Sequence, residues 1–278
     1  MTFIASLLSK PLETISSQLT VSSQFNDHTT TQNIPNLMKT AIFSDIHANL
    51  SALESVLSDA HSQGVENFAC LGDVVGYGPN PADCIALLQK IDCVCVKGNH
   101  DDDASNNRVL DNLNNEARQS LEWTRESLSD SQKSWLADLP YTRRLGRNLL
   151  VHAAAESPES WPYIRNKFDA QAALHAQSAP VCFFGHTHIP VSYGLSGEKV
   201  SALKESTVSL EGSSKFLVNV GSVGQPRDGF TEACYVVYDT STKLIEYRRV
   251  PYDISQTVSE IHRVGLLPSL AERLSQAA

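Results

Sequence analysis

The sequence predicts an α/β fold whose centre is made of buried, parallel strands. Five short apolar runs have the length and composition of strands buried on both faces, and they occupy residues 41–43, 68–71, 94–96, 149–151 and 181–184. Helical periodicity between the first three runs is typical of βαβ units, which place their strands parallel. With 278 residues, 41% hydrophobic and 19% charged, the chain is long enough for one large domain with a well-buried core.

The first helix is predicted to begin after Asn49, because an asparagine side chain can cap the free amides of a first turn. Its apolar residues recur at helical spacing and would cover one face, namely Leu50, Leu53, Val56, Leu57 and Ala60. Gly64 is predicted to end this helix, because glycine is favoured just after the last helical turn. A second crossover helix is predicted over residues 82–90, since Pro81 is favoured in a first helical turn.

Residues 102–140 are more polar and are predicted to form a small helical insertion. Apolar positions mark its helix faces at Leu113, Ala117, Leu121, Leu128 and Trp135. Beyond residue 191, the runs 215–220, 233–238 and 244–250 are predicted to be strands of a second sheet. Two final helices, near 254–264 and 268–275, would complete a single domain over residues 38–278.

Residues 1–37 differ in composition from the rest of the chain. The stretch 16–36 is rich in Ser, Thr, Gln and Asn and cannot bury enough apolar surface to offset the entropy cost of ordering, so we expect a flexible extension. Met38 stands just before the first strand, and the alternative is that translation begins there and the extension is mis-assigned. The apolar piece 3–8 lacks the basic start and the length of a signal peptide, and no run approaches the roughly 20 apolar residues that span a bilayer.

All five predicted strands end abruptly at polar side chains of metal-binding types. These residues are Asp45, His47, Asp73, Asn99, His100, Asp101, His152, His186 and His188. Because the carboxyl ends of parallel strands lie at one edge of a sheet, we expect these groups to meet there. Carboxylate, imidazole and amide oxygen suit Mn, Fe, Ni or Zn, and so many groups fit two divalent ions that share a bridging carboxylate.

Each of these residues alone also has a structural explanation. An aspartate after a strand often caps a helix, as Asp45 or Asp73 would. A single histidine such as His152 is usually a hydrogen-bonded core residue. Five such coincidences in order are not expected by chance, so we favour the metal site.

The order of the motifs is similar to that of a known family. Five blocks resemble, in order, those of the calcineurin-like metallophosphoesterases, namely Asp45-x-His47, Gly72-Asp73, Gly98-Asn99-His100-Asp101, His152 and Gly185-His186-x-His188. Segments 72–81, 121–125 and 219–228 resemble those of the compact bacterial branch of phosphodiesterases and protein phosphatases, although alanines follow His152 where many relatives have Gly and Ser. The resemblance covers residue 38 to the C-terminus. It implies a four-layer αββα sandwich, with two mixed sheets flanked by helices and a two-metal site at the sheet edge.

The resemblance also implies a role for each site residue. Asp45, His47 and His188 would hold one ion, and Asn99, His152 and His186 the other, with Asp73 as the bridge. A hydroxide between the ions would attack phosphorus in line. His100 would protonate the leaving oxygen, and Asp101 would orient His100 through its other ring nitrogen. The insertion at 102–140 would lie near the site, where it either shapes the substrate cleft or simply packs.

Four further residues are candidates for substrate contact. Trp161 and Tyr163 can stack on a nucleobase or aryl group, although packing under a loop is the more frequent use of such side chains. Tyr77 lies in one of the family-like segments, and so does Arg227. Arg227 would contact a phosphate, or else would form a salt bridge with a neighbouring side chain.

Charge and cysteine content limit the partners and the location. The net charge of −9 argues against binding along nucleic acid, although bound divalent cations would make a cleft locally positive. The six cysteines lie mainly in apolar runs, which is typical of reduced, buried thiols and indicates a cytoplasmic protein. We expect a small phosphate ester or a phosphoprotein as partner, and no membrane.

The sequence therefore predicts a metal-dependent phosphoesterase that hydrolyses a phosphodiester or phosphomonoester. A phosphoprotein phosphatase or a dinucleoside-polyphosphate hydrolase would use the same chemistry in a different cleft. A non-catalytic metal-binding scaffold is the alternative from another class. The sequence leaves the substrate, the metal and the oligomeric state open.

Overall fold

Two six-stranded sheets form the centre of the fold in this computed structural model, which describes residues 39–106 and 108–276. The predicted extension at residues 1–37 lies outside the described residues. The strands are β1 (Lys39–Phe43), β2 (Asn67–Cys70), β3 (Val94–Cys95), β4 (Thr142–Leu145), β5 (Asn148–Val151), β6 (Val181–Phe184), β7 (Val191–Ser196), β8 (Lys199–Leu203), β9 (Thr207–Ser209), β10 (Lys215–Asn219), β11 (Ala233–Asp239) and β12 (Leu244–Val250). All five strands that the apolar runs predicted are present, as β1, β2, β3, β5 and β6.

Both sheets contain parallel and antiparallel strands. The first sheet has the order β3-β2-β1-β11-β12-β9, and the second has the order β4-β5-β6-β10-β7-β8. In the first sheet β1, β2 and β3 are parallel, whereas β11 runs antiparallel to β1 with Val237 opposite Ala41. In the second sheet β5, β6 and β10 are parallel, and β4, β7 and β8 are antiparallel to their neighbours.

One part of the predicted topology is wrong. The runs at 215–220, 233–238 and 244–250 do form strands, but only β10 lies in the second sheet, whereas β11 and β12 continue the first sheet beyond β1. β10 and β11 are almost fully buried, so neither shows the alternation of apolar and polar residues that would distinguish one sheet from the other. The strands that precede the candidate ligands are also divided, with β1, β2 and β3 in the first sheet and β5 and β6 in the second, so the ligands do not come from one edge.

The helices of the described residues are α1 (Leu50–Ser62), α2 (Pro81–Lys90), α3 (Asn99–Ser105), α4 (Asn115–Ser127), α5 (Asp130–Ala137), α6 (Lys167–Ala176), α7 (Ile254–Arg263) and α8 (Pro268–Gln276). Asn49 caps α1 as predicted, because its Oδ1 accepts a hydrogen bond from the amide of Ala52 at 3.2 Å. Over the described ranges, no helix is both long enough and apolar enough to cross a membrane.

The buried side chains define four layers. Ile42 and Val236 of the first sheet pack against Phe183 and Val218 of the second, so one apolar core lies between the sheets. The outer face of the first sheet packs on α1 and α2, and the outer face of the second packs on α6. Burying each large apolar side chain contributes about 1.5–3 kcal/mol, so this packing holds the two sheets in a fixed relation.

The predicted insertion contains α4 and α5, which pack against α3. Ser129 and Gln132 form a reciprocal cap at the start of α5, and Leu121, Leu128 and Leu136 enter the core outside the first sheet. The insertion therefore supports α3, and α3 begins with Asn99 and His100.

All six cysteines are free, and Cys93 alone among them is partly exposed. Burial raises the pKa of Cys182 and of Cys234 to about 12, so these thiols stay protonated at neutral pH. The expected buried, reduced thiols are present.

Candidate metal centre

The loops that follow β1 and β2 are joined by main-chain hydrogen bonds. The amide of Asp45 donates to the carbonyl of Gly72 at 3.0 Å, and the amide of His47 donates to the carbonyl of Asp73 at 2.9 Å. The amide of Gly224, which follows β10, donates to the carbonyl of Asp45 at 2.9 Å. Because both loops are held in this way, the side chains of Asp45, His47 and Asp73 lie in one buried space.

The second sheet meets the first at the same place. Oδ2 of Asp45 accepts a hydrogen bond from the amide of His186 at 3.0 Å. A Cβ atom added at Gly185 would lie 2.5 Å from this Oδ2, so only glycine allows the two loops to approach so closely. This contact brings His186 and His188 beside Asp45.

We call Asp45, His47 and His188 the first cluster. Nε2 of His47 and Nε2 of His188 are 3.1 Å apart, and Nε2 of His188 lies 3.2 Å from Oδ1 of Asp45. Both rings turn Nδ1 to a main-chain carbonyl, with His47 3.2 Å from Val75 O and His188 2.6 Å from Gln225 O. Since Nδ1 donates to these carbonyls, each Nε2 carries a lone pair that faces the cluster.

We call Asn99, His152 and His186 the second cluster. Nε2 of His152 lies 3.1 Å from Oδ1 of Asn99 and 3.1 Å from Nδ1 of His186. Nδ1 of His152 is 2.8 Å from the carbonyl oxygen of Leu71, so Nε2 of this ring also faces its cluster.

Asp73 contacts both clusters with one carboxylate oxygen. Its Oδ2 lies 3.7 Å from Nε2 of His47 and 3.4 Å from Nε2 of His152. Its Oδ1 accepts a hydrogen bond from the amide of His100 at 2.9 Å, which fixes the direction of the carboxylate. A carboxylate between two ligand groups is what a pair of ions requires of a bridging residue.

The two clusters fit divalent cations. Two ligand atoms that each lie about 2.1 Å from one ion are about 3.0 to 3.4 Å apart in tetrahedral or octahedral geometry. His188 lies at this spacing from both His47 and Asp45, and His152 lies at it from both Asn99 and His186, whereas Nε2 of His47 and Oδ1 of Asp45 are 3.9 Å apart. The imidazole lone pairs that face one another repel unless a cation lies between them. Oδ1 of Asp45 is also buried without a hydrogen-bond partner among the described residues. The donors are nitrogen and oxygen, which suits Mn, Fe, Ni or Zn.

The carboxylates and imidazoles shift one another's pKa values. Burial alone would lower the pKa of His152, but the charge and hydrogen bond of Asp73 raise it to about 9. Burial, with the charge of His152, lowers the pKa of His186 to about 3. Burial would raise the pKa of Asp45, but the neighbouring His188 holds it well below its ordinary value. The carboxylate of Asp45 is therefore ionised at neutral pH, and a cation held by the second cluster would compete with the proton of His152.

His100 lies beside the clusters. Its ring centroid is 4.9 Å from that of His47 and 4.6 Å from that of Tyr77. Its Nδ1 is buried and has no hydrogen-bond partner among residues 39–106 and 108–276. Burial lowers the pKa of His100 to about 4.

Asp101 does not orient His100, and that part of the prediction is wrong. Oδ1 of Asp101 accepts from the amides of Val74 and Val75 at 2.9 and 3.3 Å, and Oδ2 accepts from the amide of Gly98 at 3.0 Å. The physical reason is that His100 and Asp101 are adjacent in α3, where consecutive side chains point about 100° apart. Asp101 instead holds the loop after β2 against the start of α3.

Tyr77 and Arg227, two of the candidate substrate contacts, lie together at the site. The Tyr77 ring centroid is 4.8 Å from that of His47, and the Arg227 guanidinium is 6.0 Å from the Tyr77 centroid. Arg227 donates to Oε1 of Gln225 at 2.7 Å. Arg227 does not form the alternative salt bridge with Asp228, because Asp228 pairs with Arg249.

Trp161 and Tyr163 lie on the side of the second cluster. The Tyr163 ring stacks on His186 with centroids 4.0 Å apart and an angle of 25° between the planes. The Trp161 ring meets His152 edge to face at 5.8 Å. Tyr163 remains 44% exposed, so it is accessible to a ligand.

The main chain at the site adopts an uncommon conformation. Most non-glycine residues with positive φ in the described part of the chain belong to the site loops, and among them are Asp45, His47, Asp73, His186 and His188, with φ between 47° and 66°. L-residues other than glycine rarely adopt this left-handed region. The loops that carry the candidate ligands are therefore held in a strained conformation by the bonds that surround them.

One positioning residue had no role in the sequence prediction. Asn219 ends β10, and its side-chain Nδ2 donates to the carbonyl of Gly185 at 2.8 Å and to Oγ1 of Thr187 at 2.9 Å. These bonds fix the loop that carries His186 and His188. The signal was the family-like segment 219–228, which begins with this residue.

Residues 38–243 match the family model for the calcineurin-like phosphoesterase superfamily domain. An uncharacterized protein of Methanocaldococcus jannaschii is 35% identical over 238 residues, which are 84% of this chain and 96% of that protein.

Solved structures agree with this match. A metallophosphoesterase from Sphaerobacter thermophilus has 35% identity and a TM-score of 0.77, over 87% of this chain and 100% of that one. A hypothetical protein from Pyrococcus horikoshii has 16% identity and a TM-score of 0.72, over 86% and 98% of the two chains, and this likeness shows the fold alone. The predicted fold of two mixed sheets flanked by helices is therefore confirmed.

Proposed function

The chain belongs to the calcineurin-like phosphoesterase superfamily, and from that premise we propose that it is a metal-dependent hydrolase of a phosphodiester or phosphomonoester. The observation that carries the proposal is the position of Asp73. Its Oδ2 lies within 3.7 Å of a histidine nitrogen in each of the two clusters. This is the arrangement that an in-line displacement at phosphorus needs for two ions acting together.

In the proposal, the first cluster would hold one divalent ion and the second cluster the other, with Asp73 as a shared ligand. When bound, such a pair supplies Lewis acidity that polarises a phosphoryl oxygen and acidifies water. The main-chain carbonyls behind His47, His152 and His188 face each Nδ1, and this aims each Nε2 at its cluster. The chain therefore offers a preformed set of nitrogen and oxygen donors.

His100 gives its proton to the leaving oxygen. It lies against His47 and Tyr77 but takes no part in either cluster. Burial lowers its pKa to about 4, and the negative charge of a bound phosphate opposes this shift. In this role the ring would hold its proton only while the negative charge of the substrate lies beside it.

Arg227 binds the phosphate. One side-chain acceptor of Arg227 is Gln225, and a guanidinium has five N–H donors, so donors remain for a phosphate. A guanidinium suits the paired oxygens of a phosphate, and Tyr77 beside it limits how far the arginine can swing.

The test is hydrolysis of bis-p-nitrophenyl phosphate beside p-nitrophenyl phosphate, with the apoprotein reloaded separately with Mn, Ni, Zn and Mg. Metal content is measured on the same samples. We expect turnover of at least one ester that depends on bound metal. Preference for the diester would identify a phosphodiesterase, and preference for the monoester would direct the search to phosphoproteins and nucleotides.

Absence of turnover by a protein that holds two ions would overturn the proposal and favour a metal-binding scaffold. We propose a small phosphate ester as the partner and a cytoplasmic location, which the six reduced thiols support. The net charge of −9 disfavours nucleic acid as a substrate.

A further inference from the structure

A groove of about 850 Å³ opens beside the second cluster. Thr187, which lies between His186 and His188, lines one end of it together with Tyr163 and Arg227. The volume lies within the about 300–1,000 Å³ typical of sites for small molecules. The groove therefore lies next to the candidate metal centre and is large enough for a nucleotide-sized group.

The groove exposes apolar surface, although the Arg165 guanidinium lies over the Tyr163 ring at 3.9 Å and the Arg249 guanidinium over the Phe230 ring at 4.8 Å. Six large apolar side chains are exposed among the described residues, and three of them line the groove, namely Tyr163 (44%), Ile189 (46%) and Phe230 (55%). Flat aromatic side chains exposed beside a site are suited to stacking on a flat ring.

The groove also carries a positive charge that contrasts with the rest of the chain. Its lining contains four cationic and two acidic residues, whereas the whole chain has a net charge of −9. Arg249 is paired with Asp228. Arg165, Lys204 and Arg227 form no ion pair with any residue in the described part of the chain.

Glu205 is the second acidic residue of the lining, so the cationic residues exceed the acidic ones by two and the groove is complementary to an anion. A metal centre and Arg227 at one end account for a single phosphate. Lys204 and Arg165 are further cations on the lining and call for a second anionic group. The exposed aromatic surface on the same lining calls for a ring.

We infer that the groove binds the part of the substrate that extends beyond the reacting phosphate, and that this part has a flat aromatic ring and at least one further phosphate, as in a nucleoside diphosphate. The inference rests on the proposed function for the identity of the reacting group. Lys204 binds the further phosphate, and Phe230 stacks on the ring.

Equilibrium binding to the metal-loaded protein tests the inference, with α,β-methylene-ADP as the probe because it resists hydrolysis. Adenosine carries only the ring, and methylenediphosphonate carries only the two phosphorus groups. We expect α,β-methylene-ADP to bind at least about tenfold more tightly than either part, because stacking and charge-assisted hydrogen bonds both contribute. Equal binding of methylenediphosphonate and the nucleotide analogue would overturn the aromatic part of the inference.

Matched variants locate the binding site. Lys204→Gln and Phe230→Ala should each weaken binding of α,β-methylene-ADP by about tenfold. Lys199→Gln and Phe168→Ala are the matched controls, because they remove an exposed lysine and an exposed phenylalanine that lie outside the groove. They should change binding by less than about twofold. If all four variants bind as the unmodified chain does, the groove is not the site.

The two proposals fail separately. Hydrolysis of p-nitrophenyl phosphate without tight binding of the nucleotide analogue would refute the groove assignment and leave the phosphoesterase intact. Binding that depends on Lys204 and Phe230, in a protein that hydrolyses neither p-nitrophenyl ester, would support the groove and refute the catalytic function.

Discussion

Replacing Gly76 with alanine should displace His100 while leaving the candidate metal ligands untouched. A Cβ atom at position 76 would lie 2.5 Å from Nδ1 and 3.1 Å from Cγ of His100, whereas ordinary contact begins at 3.4 Å. The imidazole must therefore move by about 1 Å, which is the difference between 2.5 Å and the 3.4 Å of ordinary contact. Gly76 also has a φ of +85°, which adds backbone strain to any other residue at this position.

The expected loss of rate follows from that displacement. Moving a reacting group by about 1 Å can lower the rate by about 10²-fold, because proton transfer requires hydrogen-bond geometry. The strain of a left-handed alanine costs about 1–2 kcal/mol of folding free energy. Gly146→Ala is the matched control, since Gly146 has a φ of +59° and nothing lies within 4 Å of an added Cβ.

The assay is kcat for bis-p-nitrophenyl phosphate, with metal content and thermal midpoint measured on the same preparations. We expect both variants to lose similar stability and only Gly76→Ala to lose about 10²-fold in kcat. Full activity in Gly76→Ala would refute His100 as the proton donor. Loss of metal in this variant would instead show that the His100 region supports the ions themselves.

Three further predictions test other parts of the structure. His100→Ala should lower kcat by about 10²-fold or more with metal content unchanged, and metal loss would make His100 structural. Asp73→Asn keeps the shape but removes the charge, so it should leave fewer than two ions per chain; full occupancy measured by mass spectrometry would contradict the bridge. Asp59 is held by Arg248 at 2.6 and 3.0 Å, and this hydrogen bonding lowers the pKa of Asp59 below its ordinary 3.8. Arg248→Met should therefore lower the free energy of unfolding by about 1–2 kcal/mol at neutral pH. The loss should become progressively smaller in acid.

The sign of that last prediction follows from linkage. A depressed pKa in the folded state adds stability that is fully present above the unfolded pKa, and this stability is lost as the pH falls through the folded pKa. Urea unfolding at pH 7 and near pH 2 measures the difference. A cost that stays constant across this range would show that the Arg248 contact with Asp59 is packing and not charge.

The candidate site could be predicted from the sequence because its residues follow strands. Each apolar run ended at the polar residues that the structure brings together, and the runs were short enough to locate the strand ends to within one or two residues. The pairing of the later strands could not be predicted. β10 lies parallel to β6 and β11 lies antiparallel to β1, and a nearly fully buried strand presents the same apolar face to any partner.

Asp101 and Asn219 show where local sequence reasoning ends. Asp101 is adjacent to His100 in the chain, yet helical geometry turns the two side chains apart and directs Asp101 to the amides of Val74 and Gly98. Asn219 positions a loop that lies 34 residues earlier in the chain, at Gly185. Such a contact depends on the pairing of β10 with β6, and no local pattern reports that pairing.

The left-handed backbone of the ligand loops positions the site but lowers the stability of the folded state. Each of Asp45, His47, Asp73, His186 and His188 holds a conformation that glycine adopts more easily, at a cost of about 1–2 kcal/mol per residue. Bound metal offsets this cost because it stabilises the folded state alone. In the absence of metal this cost is not offset, so we expect the apoprotein to melt at a lower temperature than the metal-loaded protein. A screen for heat resistance should therefore be run on the metal-loaded protein, because in the apoprotein it would reward changes that relax the ligand loops and so lose the site.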